Sequence, residues 1–314
     1  MHDLLSFHTR LVWYSMEQTL PFLILIAAGQ IMRRIPGFPA DVDRGLNLYV
    51  IYAALPALIL VQVPRLVLSK DLLVPVLMPW AVVLFAGLLV WGVCRLARWP
   101  REITGALLLL IPLGNTSFLG IPMVEQFFGE SGIPYAILYD QFGSFLALST
   151  YGTLILALYG GAGRPSPMEI IKRVVLFPPF LALATALALH GVVLPGWLLA
   201  VLEMTARSLV PVVLVAIGFQ LHLRMPAAEV QPFVAGLSIR LLVTPLVFAG
   251  GCAFFGISGT AVQVALFETA MPPMVTAGAL ASIAGLKPRL SSALVGFGII
   301  ASFLTLPLIH HLIR

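Results

Sequence analysis

Charge is what this sequence has least of: Asp, Glu, Lys and Arg make up 10% of its 314 residues, where a soluble domain carries roughly 25%. So few charges cannot cover a surface that meets water on all sides, which excludes an ordinary soluble enzyme or binding module. Cysteine is nearly absent. Cys94 and Cys252 both sit inside apolar runs, so neither a disulfide framework nor a metal site is expected. The six histidines are scattered, and the sequence holds no HExxH pair, no GxSxG elbow and no Asp-rich pair for magnesium. An enzyme and a bound cofactor are therefore not expected. No polar face clusters basic residues with aromatics, so a nucleic-acid partner is not expected either. Long polar segments are missing too: nothing beyond about a dozen residues separates one apolar run from the next, which leaves no room for a soluble domain.

What the sequence has instead is apolar length. Hydrophobic residues make up 60% of the chain, and the mean hydropathy is +1.03. Runs long enough to cross a hydrocarbon core of about 30 Å recur from end to end. Ten candidates stand between the charges, at about 18–33, 46–64, 72–94, 103–126, 133–159, 174–194, 197–221, 233–256, 259–285 and 289–312. Asp3, Arg10 and Glu17 precede the first run and no small-residue cleavage site follows it, so it reads as a span and not a removable signal. Odd-numbered spans are followed by Arg33, Arg34, Arg44, Arg95, Arg98, Arg101, Arg164, Lys172, Arg173, Arg224, Lys287 and Arg289. The opposite side holds Arg10, Arg65, Lys70 and Arg314. Positive-inside bias then predicts a multi-pass protein of the cell (inner) membrane with both termini outside. The net charge of +5 follows from that topology and calls for no acidic partner.

The two halves of the chain match at a nearly constant offset. Thr104-Gly105 and Ser258-Gly259 both open a span, Pro134 and Pro288 both precede the next, and Leu55-Pro56-Ala57-Leu58 corresponds to Val210-Pro211-Val212-Val213. Five spans per half is an odd number, so the halves are expected to lie upside down relative to each other. Their bounds are 1–160 and 174–314, joined by a cytoplasmic linker at 161–173. Inverted repeats of this kind place a transport site at the repeat interface, and a pair of interrupted spans at corresponding positions marks it.

Spans 4 and 9 are such a pair. Span 4 carries Pro112-Leu113-Gly114-Asn115-Thr116-Ser117, and span 9 carries Glu268-Thr269-Ala270-Met271-Pro272-Pro273. Proline removes a backbone donor and clashes with the preceding turn, so both helices should open in mid-membrane. Opened backbone persists there only inside protein or against a wet cavity. The half-helix that follows a break offers free N–H groups that suit an anion. Gly114, Asn115, Thr116, Ser117, Thr269, Pro272 and Pro273 are thus the candidate substrate-binding residues, with the Asn115 amide able both to cap the break and to contact a carboxylate. Asp140, Glu268 and Arg240 are the ion-coupling candidates. An ionised carboxylate at a helix centre costs about 2.5–3.5 kcal/mol, so such groups usually face the bundle interior and have a role there. Arg240 is expected to be a structural partner, pairing with Asp140 or Glu268, or else to meet the substrate. Gln141, Gln220 and Gln263 read as hydrogen bonds between helices, Glu203 and Arg207 as an ion pair on one helix face, and His310 and His311 as interfacial.

At these residues the chain resembles the auxin efflux carrier family, which includes plant PIN carriers and bacterial carriers of malonate and related acids. Gly114-Asn115-Thr116-Ser117-Phe118-Leu119-Gly120-Ile121-Pro122 is similar to the family's Asn-Thr followed by Gly-Ile-Pro, and Glu268-Thr269-Ala270-Met271-Pro272 resembles the bacterial branch. Tyr139-Asp140, Arg240 and Pro245 also look like bacterial members. The resemblance implies an all-α membrane fold of ten helices in two inverted five-helix repeats, with helices 4 and 9 crossing where they break. It further implies a dimerising scaffold of helices 1, 2, 6 and 7, a mobile unit of helices 3–5 and 8–10, and elevator-type movement of a carboxylate. Gly114 stands where plant members carry proline, and their long cytoplasmic loop is missing, so auxin is not the expected substrate. The expected function is a secondary transporter of a small mono- or dicarboxylate, driven by protons or membrane potential. The alternatives are a sodium-coupled symporter of a related crossover fold and an anion channel.

Overall fold

Every regular element among the described residues is helical, and the longest helices fall where the apolar runs predict. The computed structural model describes residues 20–39, 41–65, 70–160, 166–221 and 229–314. Asp3, Arg10, Glu17, Arg164, Arg224 and the glycine-rich start of the linker lie outside these. Among the described residues six helices are long and apolar enough to cross a membrane: α2 (Val42–Arg65), α3 (Lys70–Leu96), α6 (Glu130–Tyr159), α9 (Gly196–Gln220), α10 (Val230–Phe254) and α13 (Pro288–Ile313). Two shorter apolar helices, α1 (Leu20–Met32) and α8 (Pro178–Ala188), accompany them.

The remaining apolar runs are divided. Span 4 splits into α4 (Arg101–Leu110) and α5 (Ile121–Phe128), and span 9 into α11 (Thr260–Thr269) and α12 (Val275–Ile283). One further helix, α7 (Pro167–Val175), lies in what the sequence presents as linker. Ser166 caps it by accepting from the Glu169 N–H, while Glu169 reaches back to the Ser166 N–H, and Pro167 takes the first turn, where its missing donor costs nothing.

Two packing arrangements position the site. Helix α2 packs on α8 and α9, and α1 packs on α9, where Gln30 Nε2 donates to the Gly218 and Leu221 carbonyls. α1 and α9 approach backbone to backbone, so that a side chain at Gly218 would begin 2.0 Å from the Ile26 carbonyl oxygen; small residues at such crossings let helices draw together without a hydrophobic driving force. Helices α3 to α6 pack with α10 to α13, burying Leu107, Leu109, Leu110, Ala277, Leu290 and Leu294 between them. Large apolar side chains such as Leu84, Leu88, Met204 and Phe254 face outward. In water this much exposed apolar surface would aggregate, whereas lipid accepts it.

Candidate functional site

The two breaks meet. Gly114 and Pro273 form an isolated antiparallel bridge, closed by hydrogen bonds from the Asn115 N–H to the Pro272 carbonyl (2.8 Å) and from the Met274 N–H to the Leu113 carbonyl (3.0 Å). Opened backbone in each span thereby satisfies part of the other's lost ladder, as a low-dielectric interior requires. The residues were legible in sequence and the resemblance implied that the two spans cross at their breaks; the backbone bridge between Gly114 and Pro273 was not legible.

Prolines at 112, 272 and 273 remove donors and leave carbonyls in excess. Arg240 supplies the missing donors. It stands in a wide π-helical turn of α10 (Ile239–Val243) and is 1% exposed. Its Nε donates to the Met271 carbonyl (2.6 Å), and its Nη1 to the carbonyls of Ile111 and Pro112 (3.3 Å each). One guanidinium therefore joins the C-terminal ends of α4 and α11, where the helix dipoles favour a cation. The expected pairing with Asp140 or Glu268 is absent: among the described residues no carboxylate comes within 4.0 Å of Arg240. Nη2 lies against Gly114, where an added Cβ would sit 1.9 Å away. Glycine at 114 is what lets the cation reach both helix ends.

Asp140 and Glu268 are both buried but differ in their partners. Asp140, in a π-helical turn of α6 (Asp140–Phe145), accepts from Thr116 Oγ1 (2.6 Å), Ser117 Oγ (2.5 Å) and Gln141 Nε2 (2.7 Å). Three donors stabilise a carboxylate as an anchor for the segment just after the span 4 break. Glu268 accepts from no donor among the described residues. Its carboxylate rests on the backbone of Gly120, where a Cβ would fall 2.4 Å from Oε2. Asn115 Nδ2 is likewise buried and donates to no acceptor among the described residues.

A cavity of about 110 Å³ opens beside the bridge, with Asn115, Ser117, Asp140 and Thr276 among apolar walls that include Ile51, Phe118 and Phe145. It shares Ile51, Phe118 and Thr276 with a larger cleft of about 330 Å³ that runs toward Asp43, Gln220 and Ser282. At the opposite helix ends, Arg65, Glu125 and Glu203 line a separate cleft of about 360 Å³. Of the candidates, Asn115, Ser117 and Asp140 line the small cavity; Gly114, Pro272 and Pro273 form the bridge beside it. Thr269 turns away, its hydroxyl donating to the Leu266 carbonyl of its own helix.

A family model described as membrane transport protein matches residues 14–310. The chain belongs to the auxin efflux carrier family. It is 30% identical over 307 residues to an uncharacterized transporter of Methanothermobacter thermautotrophicus, covering 94% of this chain and 97% of that one. It is 28% identical over 268 residues to an uncharacterized transporter of Methanocaldococcus jannaschii, covering 82% and 85%. The protein is thus a multi-pass membrane protein of a transporter family.

Within that family frame, three sequence readings need correction or addition. His310, expected at the membrane exit of its span, is buried in protein: it is 8% exposed, its ring packed edge-on to Phe127 and Phe128 at 4.9 and 5.0 Å between centroids. Glu203 pairs not with Arg207 but with Arg65 of α2, at 3.1 Å, because the neighbouring helix brings a guanidinium closer than the next turn does. Gly120 and Thr276 escaped the site assignment. The first shows only as a glycine in the Gly-Ile-Pro stretch, and the second resembles any hydroxyl in a new helix's first turn. Gln263 does join two helices, donating to the Ile313 carbonyl at 3.1 Å.

Proposed function

We propose that the transporter carries a small mono- or dicarboxylate by alternating access, and that the anion binds at the crossing of spans 4 and 9. The observation that carries this is a buried donor without an acceptor: Asn115 Nδ2 has no partner among the described residues, its residue lines a cavity, and the Arg240 guanidinium lies against the preceding Gly114. A substrate carboxylate accepts from that amide, and the start of the Thr116–Gly120 turn that leads into α5 and the N-terminal end of α12 add the partial positive charge of free N–H groups. Clefts at opposite ends of the helices support access from either side in turn.

The same reading takes the divided spans as helices 4 and 9 of ten, in two inverted repeats of 1–160 and 174–314. Helices α1, α2, α8 and α9 form the scaffold of a homodimer, and the helices bridged at the crossing move past it as an elevator. Both termini face outward, so the 330 Å³ cleft opens to the cytoplasm. Protons drive the cycle through Glu268. Among the described residues nothing donates to that carboxylate to hold its charge, whereas Asp140 accepts three hydrogen bonds.

Purified protein in proteoliposomes, preloaded with a panel of carboxylates, tests this. Saturable uptake of a labelled acid that accelerates when the same acid is inside identifies a carrier. Ion current without such counterflow makes the protein a channel, and uptake that requires sodium assigns the coupling to that ion.

A further inference from the structure

Far from the crossing, the C-terminal end of α3 meets the start of α4 at a cleft of about 530 Å³. Arg95, Arg98 and Arg101 line it together with Trp91, Trp99 and Tyr159. In sequence these arginines served only as markers of topology, with no basic and aromatic face in view; the fold makes one by closing α6 against the α3–α4 turn. Arg95 lies over the Trp91 ring at 5.4 Å and Arg101 over the Tyr159 ring at 5.9 Å. Arg101 also donates to the Leu158 carbonyl. Among the described residues neither the Arg95 nor the Arg98 side chain donates to a protein acceptor or pairs with a carboxylate, and no acidic residue lines the cleft. The nearest in sequence, Glu102, lies one residue beyond Arg101 and outside the lining. Arg98 holds the left-handed backbone (φ 54°) that ends α3, a position ordinarily filled by glycine.

We propose that this cleft binds the phosphate headgroup of an anionic phospholipid. Uncompensated arginines supply forked donors that match phosphate oxygens. Basic pockets between membrane helices are where anionic headgroups are held. A lipid is favoured over a soluble phosphate by what adjoins the cleft. Leu77, Leu84, Leu88 and Trp91 lie 59%, 65%, 60% and 48% exposed along one face of α3. Arg95 follows Trp91 on that same face at helical spacing. From Leu84 to Arg95 is about 16 Å along the axis, roughly half the hydrocarbon thickness. An acyl chain laid along this stripe delivers its headgroup to Arg95, with Trp91 and Trp99 at the level where aromatic residues collect.

The test is lipid retention by native mass spectrometry of the purified full chain, after exchange into mixtures of phosphatidylglycerol and phosphatidylcholine. Wild type should keep the anionic lipid preferentially. Arg95→Gln with Arg98→Gln should retain it about 30-fold less, from the loss of two charges near the surface. Arg34→Gln with Arg44→Gln removes the same charge elsewhere and should leave retention unchanged. Equal loss in both double variants would mean bulk charge alone and overturn the site, as would equal retention of phosphatidylcholine by wild type. Displacement of the lipid by soluble glycerophosphate at matched concentration would also overturn the assignment to lipid. If the Arg95/Arg98 variant fails to fold, Trp91→Ala in its place should weaken retention in the same direction, and unchanged retention there counts against the site.

Discussion

Arg240 and Gly114 are a matched pair: Nη2 of the arginine occupies the space that any side chain at 114 would claim, 1.9 Å from the built Cβ position. The contact explains a local peculiarity of this sequence. Proline at 114, the residue of the plant branch, would evict the guanidinium from both helix ends.

Gly114→Ala should therefore displace Arg240 and leave the carbonyls of Ile111, Pro112 and Met271 without their donor. Each buried orphan costs about 1–3 kcal/mol, so thermal unfolding should shift down sharply and transport should be lost. Gly250→Ala is the control, since a Cβ there meets nothing within 4 Å; it should leave both unchanged. Arg240→Lys keeps the charge but not the fork and should fall between.

Asn115→Ala retains the backbone bridge to Pro272 and removes only the unpartnered amide. Folding should survive, while carboxylate affinity should fall about 10–100-fold, the size of a hydrogen bond to a charged group. Unchanged affinity by equilibrium binding would place the substrate elsewhere.

Asp140→Asn puts an amide group where three donors converge. At least one charge-assisted bond is lost, so stability should drop by about 1.5–3 kcal/mol in denaturant unfolding. Thr116→Val should show part of the same loss.

Glu268→Gln keeps shape but carries no exchangeable charge. Uptake should become indifferent to an imposed proton gradient, while counterflow at equal pH on both sides persists. Wild type, by contrast, should accumulate the acid faster when protons flow in the direction of transport. Gly120→Ala should mimic the defect, because its Cβ would strike both carboxylate oxygens, at 2.4 and 2.6 Å.

How far the sequence reached depended on the range of the interaction. The breaks at Pro112 and Pro272-Pro273 are local consequences of missing donors and could be read directly. The apolar runs likewise announced the long helices, because lipid demands length and hydrophobicity from each span on its own. Ser166-Pro167-Met168-Glu169 was a readable helix start, hidden behind the glycines that precede it. Tertiary choices were out of reach. Glu203 had a suitable partner one turn away and took another from α2. His310 sits near a helix end, yet three phenylalanines from other spans enclose it. Arg240 had two carboxylates to choose from and bound carbonyls. That excess of acceptors becomes visible only when both breaks are placed side by side.

The crossing also has a temporal side. The N–H of Asn115 waits for a carbonyl roughly 160 residues further along, which a ribosome working at about 5–20 residues per second reaches only after some 8–30 s. During that interval the first half stands in the bilayer with its broken segment incomplete. The protein is therefore a natural client for whatever insertion machinery can shelter an unfinished helix until its counterpart emerges.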